Sequence, residues 1–345
     1  MFEQLEGTFY RSRSAIVALG SYAPGPAIPN DYFDKYYHRD VSTYLRVQRN
    51  ILKRHFMDPK EATSDLIVPA AQEALANAKL KPEDIDLIIV ATDTPDYISP
   101  ATANVVQYKL GAHKAGCFDI NAACAGFVIA IDMADKYIAS DHLYKNILVA
   151  GAYGMSRYFD WSEYKVTSTF ADGAGVAIVQ RMETDNPYEG ILASELFARG
   201  EYHDYLGIYA GGTRTPASHE SIDNKQHLIK FVKPIPPETN STEWPRLIRC
   251  LLERLEMKAE EVNRFFFTQI DIRSINQTLD QLGLPHTRAH NVMDQYGYTG
   301  SACIAMALAD ACRKHLLKKG DNVFLMGSGG GMSMAAVAMR WEFDT

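Results

Sequence analysis

The chain has 345 residues, 47% of them hydrophobic and 22% charged, with a formal net charge of −7 at pH 7. This length holds one large core or two ordinary domains, and the acidic balance argues against general nucleic-acid binding. No apolar run approaches the about 18 residues of a membrane span, and the opening MFEQLEGTFYRSR lacks a signal peptide's apolar core. Five cysteines without CxxC pairs read as reduced thiols rather than a disulfide frame or a zinc site, so a cytoplasmic protein with no membrane segment is expected.

In chain order, residues 14–19 alternate into GSYAPGP, a strand ending in a turn. Residues 31–53 read as helical in two pieces, the second collecting Arg46, Arg49, Lys53, Arg54 and His55 as a positive stripe. That stripe is either a solvated helix face or a dock for phosphate or an acidic carrier. Ser64 is placed to cap a helix over 65–79, whose apolar residues recur at helical spacing. IDLIIVAT, 85–92, suits a strand covered on both faces, and a helix over 101–110 follows.

The stretch DINAACAGF, 119–127, centres on Cys124. It reads as a strand over 117–120, a tight passage of small residues and a helix over 125–138. At a helix start, free N–H groups and the dipole favour thiolate over thiol, which would make Cys124 a nucleophile; the alternative is a small buried core cysteine. A strand over 146–150 and the run FADGAGVAIVQ complete this half. Strand and helix alternate throughout, the pattern of a layered α/β fold.

An internal similarity supports two halves. ADKYIASDHLYKNILVAG, 134–151, resembles ADACRKHLLKKGDNVFLMG, 309–327, and each follows a small-residue run with a cysteine, Cys124 or Cys303. The expected halves are 1–182 and 183–345. In the second, residues 200–237 are rich in Gly, Pro, His and Tyr and are expected to cap or wall a binding site. Helices over 244–257 and 271–282 flank a strand over 265–267. The end, NVFLMGSGGGMSMAAVAMRW, is strand, glycine turn, strand.

In a phosphate loop the glycines of 329–331 would open a helix; here they lead into a strand, which excludes nucleotide binding. Glycines at such a turn let a backbone N–H approach a ligand, and one opposite Cys124 would complete an oxyanion hole. His286 and His290 flank no acidic ligand in the sequence, so no metal is expected there.

AACAGF around Cys124, FADGAG at 170–175, YGYTGSA at 296–302 and the terminal GSGGGMSMAAVAMRW together resemble the β-ketoacyl-acyl-carrier-protein synthase III family of the thiolase superfamily. The resemblance implies a five-layered αβαβα thiolase fold with two pseudo-symmetric halves, a homodimer, and an acyl thioester on Cys124. It also implies an oxyanion hole from the N–H groups of Cys124 and Gly330. No cofactor is held permanently; the substrate is a phosphopantetheine-linked acyl thioester on coenzyme A or acyl carrier protein.

The departures from the family pattern are informative. Thr268 stands where the family has a histidine, and Tyr298 where it has an asparagine. Both support decarboxylation of malonyl-carrier in the family, because the developing enolate needs donors aimed at its oxygen, each worth about 3 kcal/mol. An acyltransferase that does not decarboxylate is therefore expected, with Tyr298 or Thr268 orienting the acceptor. A condensing synthase using hydroxyl donors and a non-catalytic subunit of a heteromeric synthase are the alternatives. By the same resemblance Tyr44 replaces a tryptophan that stacks on adenine, and Gln48 and Tyr164 replace phosphate-binding arginines for which Arg46 and Arg49 stand nearby. Arg273 matches a position that docks acyl carrier protein, so a carrier-bound donor is favoured. Ser99, in place of a phenylalanine that lines the partner's acyl pocket, leaves room for a longer acyl group. Met293, Met306, Met332 and Met334 either line that pocket or pack in the core.

Overall fold

The structure, a computed structural model, describes residues 12–184 and 186–344. Its first half runs β1 (Arg13–Tyr22), α1 (Thr63–Ala78), β2 (Leu87–Ala91), α2 (Thr102–Leu110), β3 (Gly116–Ile120), α3 (Gly126–Ser140), β4 (Asn146–Tyr153) and β5 (Gly173–Met182). Then come β6 (Ile191–Ala198), α4 (Thr239–Arg254), β7 (Arg264–Phe267), α5 (Ile272–Gln281), α6 (Cys303–Arg313), β8 (Asn322–Gly329) and β9 (Ser333–Arg340).

Two sheets carry the architecture. The first has the order β1-β5-β4-β2-β3, the second β6-β9-β8-β7. From β1 and from β6 the senses repeat: antiparallel, antiparallel, parallel. The first sheet adds β3 in parallel beyond β2, and an isolated parallel bridge from Phe265 to Ala289 stands at the corresponding edge of the second. Helices α3 and α6 lie between the sheets, α1 and α2 cover the outer face of the first, and α4 and α5 that of the second. The result is the five-layered αβαβα arrangement.

The sequence explains the layers. β2 reads LIIVA and is buried at every position, as a strand covered on both faces must be. α3 and α6 bury residues around most of their circumference because each faces both sheets. Close approach needs small residues: a Cβ on Gly151 would lie 2.3 Å from the Ser301 carbonyl oxygen, and one on Gly175 would lie 2.4 Å from Ala305 Cβ.

Several local expectations are corrected. Helix α1 begins at Thr63, so Ser64 lies inside it; Asp65 Oδ2 accepts the Ala62 N–H at 3.0 Å, and Ser64 Oγ accepts from Lys109 Nζ at 2.8 Å. The 31–53 region forms a helix over Asn30–Tyr37, then Ser42–Tyr44 running into a π-turn over Leu45–Arg49. The basic residues beyond that turn do not share one solvated face. Arg54 is fully buried, with its guanidinium 4.6 Å from the centre of the Phe33 ring, and burial lowers its pKa to about 9.

Candidate active site

Three adjacent parallel strands deliver the site. Ala91 at the end of β2 is level with Ile120 on β3 and with Gly151 on β4. The chain leaving β3 reaches Cys124 four residues on, the chain leaving β2 reaches Asp93 after two, and β4 carries Tyr153 two residues beyond Gly151. All three side chains line one cavity of about 1230 Å³. Such a position, at the carboxyl ends of parallel strands, is where α/β sheets hold ligands.

Cys124 sits in a single 3-10 turn, Ala123–Ala125, between β3 and α3. The turn is shaped by the Ala123 N–H donating to Asn121 Oδ1 at 3.1 Å and by Ala123 in the left-handed region at φ 46°. Gly329, at the end of β8, packs directly on this turn: a Cβ there would lie 2.3 Å from the Ala122 carbonyl oxygen and 2.8 Å from the Cys124 nitrogen. Gly330, one residue on, lines the cavity and has its nearest neighbour, the Leu206 carbonyl oxygen, 3.5 Å from the place of a Cβ.

The expectation of a resting thiolate is corrected by the surroundings. Cys124 is 8% exposed, and burial first, then the charge of Asp93, push its thiol well above the ordinary value. The Tyr298 hydroxyl acts the other way, donating a hydrogen bond that favours the thiolate. Desolvation thus opposes the helix start in setting the state of this thiol. Burial also holds the Tyr298 phenol protonated, and its ring packs on Phe170 at 5.3 Å and Tyr153 at 6.5 Å between centroids.

Thr268 does not reach the cavity. Its Oγ1 accepts the Ser328 N–H at 2.8 Å and donates to the Ser328 carbonyl oxygen at 3.3 Å, so it ties β7 to the end of β8 and spends its one O–H donor there. Among the described residues the one histidine lining the cavity is His203, on the capping segment, with a side chain 78% exposed.

At the cavity mouth Tyr44, Arg49 and Arg273 come together around Asp271. Arg49 Nε donates to Tyr44 Oη at 2.9 Å and its Nη1 to the Ile270 carbonyl oxygen at 2.9 Å; Arg273 Nη2 lies 2.6 Å from Asp271 Oδ2. Arg46 is exposed outside the lining, and Tyr164 also lies outside it, with the Arg39 guanidinium 4.1 Å from its ring centre. Ser99 is exposed in the loop after β2, outside the cavity of its own chain.

His203 and residues 206–209 and 229–237 of the glycine- and proline-rich connection wall the cavity, as expected. Of the four methionines only Met332 lines it; Met293, Met306 and Met334 are core. His286 and His290 each face a carboxylate brought from elsewhere, Asp280 and Asp310, both at 2.8 Å. Among the described residues no group of three or more potential ligands gathers to hold a metal ion. Sequence reasoning missed Asp93 and Tyr153. A charged residue directly after the buried strand IDLIIVAT was the available signal for the first.

The 3-oxoacyl-acyl-carrier-protein synthase III profile matches residues 118–200, and the profile of that family's C-terminal part matches 252–341. The chain is 36% identical over 338 residues to a β-ketoacyl-acyl-carrier-protein synthase III of Caldanaerobacter subterraneus, covering 95% of this chain and 98% of that one. It is 35% identical over 329 residues to the enzyme of the same name from Fusobacterium nucleatum, covering 95% and 98%. The crystal structure of 3-oxoacyl-acyl-carrier-protein synthase III from Aquifex aeolicus superposes with a TM-score of 0.84 at 31% identity, over 95% of this chain and all of that one. The chain belongs to the β-ketoacyl-acyl-carrier-protein synthase III family and is an enzyme of its acyltransferase class.

Proposed function

We propose that this enzyme takes an acyl group from a phosphopantetheine-linked thioester onto Cys124 and passes it to an acceptor without decarboxylation. One observation carries the reading: among the described residues no histidine lines the enclosed part of the cavity, since Thr268 is bound to Ser328 and His203 is largely exposed. Losing carbon dioxide from a malonyl thioester builds an enolate that needs strong donors, and a single phenol, Tyr298, faces the sulfur. Acylation asks for less: a thiol, an oxyanion hole and a way out for the departing thiol. In this reading the N–H groups of Cys124 and Gly330 hold the oxyanion, and Tyr298 stabilises the sulfur as its proton leaves.

The donor is carrier-bound in this reading. Arg273, with a side chain 55% exposed, stands with Lys165 and Lys233 at the mouth, which suits an acidic carrier. No cofactor is held permanently. The active form is a homodimer built on the open edge of β3, with the exposed 97–100 loop bearing Tyr97, Ile98 and Ser99 reaching the partner. The protein works in the cytoplasm; among the described residues no helix is long and apolar enough to cross a membrane.

The test is intact-mass spectrometry of the protein and of Cys124→Ala after incubation with acyl-carrier and acyl-coenzyme A thioesters, followed by malonyl-carrier. A Cys124-dependent adduct that malonyl-carrier leaves in place supports the reading. Discharge with release of carbon dioxide restores decarboxylative condensation, the reading favoured by the names of the relatives. No adduct from any donor points to a non-catalytic subunit.

A further inference from the structure

Asp93, two residues beyond the end of β2, lines the cavity into which Cys124 opens, and among the acidic residues of that lining, with Asp160, Glu163 and Asp271, its charge is the one that acts on the Cys124 thiol. Its Oδ1 is sealed from solvent and has no hydrogen-bond partner. A buried polar atom left unpaired costs about 1–3 kcal/mol, more when charged, so it calls for a reason other than stability.

The surrounding chain holds Asp93 in place. The Thr92 N–H donates to the Ile120 carbonyl oxygen at 3.2 Å, which ties the loop to the strand leading to Cys124. The Thr94 N–H donates to Thr92 Oγ1 at 3.0 Å, and Thr94 Oγ1 accepts the Gly154 N–H at 2.8 Å, which ties the loop to the end of β4. The Thr63 hydroxyl at the start of α1 donates to the Thr94 carbonyl oxygen. The residues on both sides of Asp93 are therefore anchored to three different elements, while Oδ1 of its carboxylate is left without a partner. This is the pattern of a preorganised functional group rather than of a structural ion pair.

We propose that Asp93 is the general base that receives the proton of an O–H or N–H acceptor when that acceptor attacks the acyl group on Cys124. The proposal rests on the acyl-transfer reading above and names the class of acceptor it serves: a hydroxyl or amine, whose proton must leave as the new bond forms. In the first half-reaction the Cys124 sulfur bonds to the donor's carbonyl carbon, the donor's C–S bond breaks, and the cysteine proton ends on the departing pantetheine thiol. In the second, the acceptor's O or N bonds to the acyl carbon and its proton passes to the Asp93 carboxylate. The C–S bond to Cys124 then breaks, and the proton goes from the Asp93 carboxyl to the released thiolate, restoring both groups.

The electrostatics fit this cycle. Burial raises the Asp93 carboxyl to about 6, close to the value at which a base is largely free yet still able to accept a proton at neutral pH. The titratable groups coupled to it are Cys124, Tyr153 and Tyr158, all of them neutral at rest and all raised by its charge. Asp93 disfavours the Cys124 thiolate as an attacking group, and by the same repulsion its protonated form favours that thiolate as a leaving group.

The two half-reactions then respond to Asp93→Asn in opposite directions, which defines the experiment. Single-turnover mass spectrometry follows loading of Cys124 from acetyl-, hexanoyl- and dodecanoyl-coenzyme A, then discharge to water and to ethanolamine, between pH 5 and 9. The expected result is loading at least as fast as in the wild type. Discharge should fall at least 100-fold and lose its dependence on a group near pH 6, and Asp93→Glu should restore part of both. Discharge by Asp93→Asn at the wild-type rate and with the wild-type pH profile overturns the role of Asp93 while leaving acyl transfer intact. Wild-type enzyme that forms no adduct, or that discharges only to malonyl-carrier with loss of carbon dioxide, overturns the transfer reading and the base with it.

Discussion

Helices α3 and α6 lie together between the two sheets, and each is entered through a single 3-10 turn with a cysteine. Cys124 lies within its turn, and Cys303 is the first helical residue after the turn Gly300–Ala302. Both are buried, and burial pushes both thiols up, Cys303 to about 12. They differ in what lies in front of them. The turn at Cys124 opens into a cavity of about 1230 Å³, whereas Cys303 is closed in and its carbonyl oxygen accepts from Gln269 Nε2 at 3.4 Å. A helix start and a cysteine therefore do not by themselves give an accessible thiol; the cavity and a facing hydrogen-bond donor distinguish Cys124 from Cys303.

The largest expected effect sharpens this contrast. Cys124→Ala should abolish the acyl adduct, while Cys303→Ala should retain it within about threefold in rate, both read by intact mass. An adduct on Cys303 in the wild type would break the comparison.

Next is the glycine that seats the active turn. In Gly329→Ala the new Cβ meets backbone atoms of Ala122 and Cys124, which cannot rotate away. A loss of roughly 1–3 kcal/mol in chemical denaturation is expected. Acylation should also fall more steeply than stability does, because the clash displaces the Cys124 N–H.

Tyr298→Phe keeps the ring packed between Phe170 and Tyr153 and removes only the donor to sulfur. A hydrogen bond to a charged group contributes about 1.5–3 kcal/mol, so acylation should slow roughly 10- to 100-fold with Tm nearly unchanged. The pH at which Cys124 reacts with iodoacetamide should rise as well.

The smallest effect is on stability. Burial raises the Asp93 carboxyl to about 6 in the folded protein, above the ordinary carboxylate value of the unfolded chain. Between these values the native state keeps a proton that the unfolded chain has lost, so the group subtracts stability as pH rises through that window. Asp93→Asn should accordingly raise Tm by a few degrees at pH 8 and leave it almost unchanged at pH 4, as measured by calorimetry. An equal gain at both would show that the carboxylate is not held in the way described.

Much of this was legible in the residues. LIIVA announced a doubly covered strand, DINAACAGF announced a cysteine at a strand-to-helix junction, and the glycine- and proline-rich stretch announced a cavity wall. Thr268 shows the limit of such reading. A hydroxyl at that position is a plausible donor to substrate until Ser328, sixty residues away, is found to take its one O–H. Arg54 shows it again, since a basic residue in a basic stretch gives no sign that it is buried against Phe33.

By itself the sequence determined the order of elements and the place of Cys124 at a strand-to-helix junction, because these are local patterns of residue type and spacing. Only the tertiary structure decided which thiol faces a cavity, that burial pushes the Cys124 thiol up, and that Asp93 Oδ1 lies in the same cavity lining without a partner. Desolvation and hydrogen-bond capacity depend on what the rest of the chain places within a few ångströms, and no run of neighbouring residues carries that information.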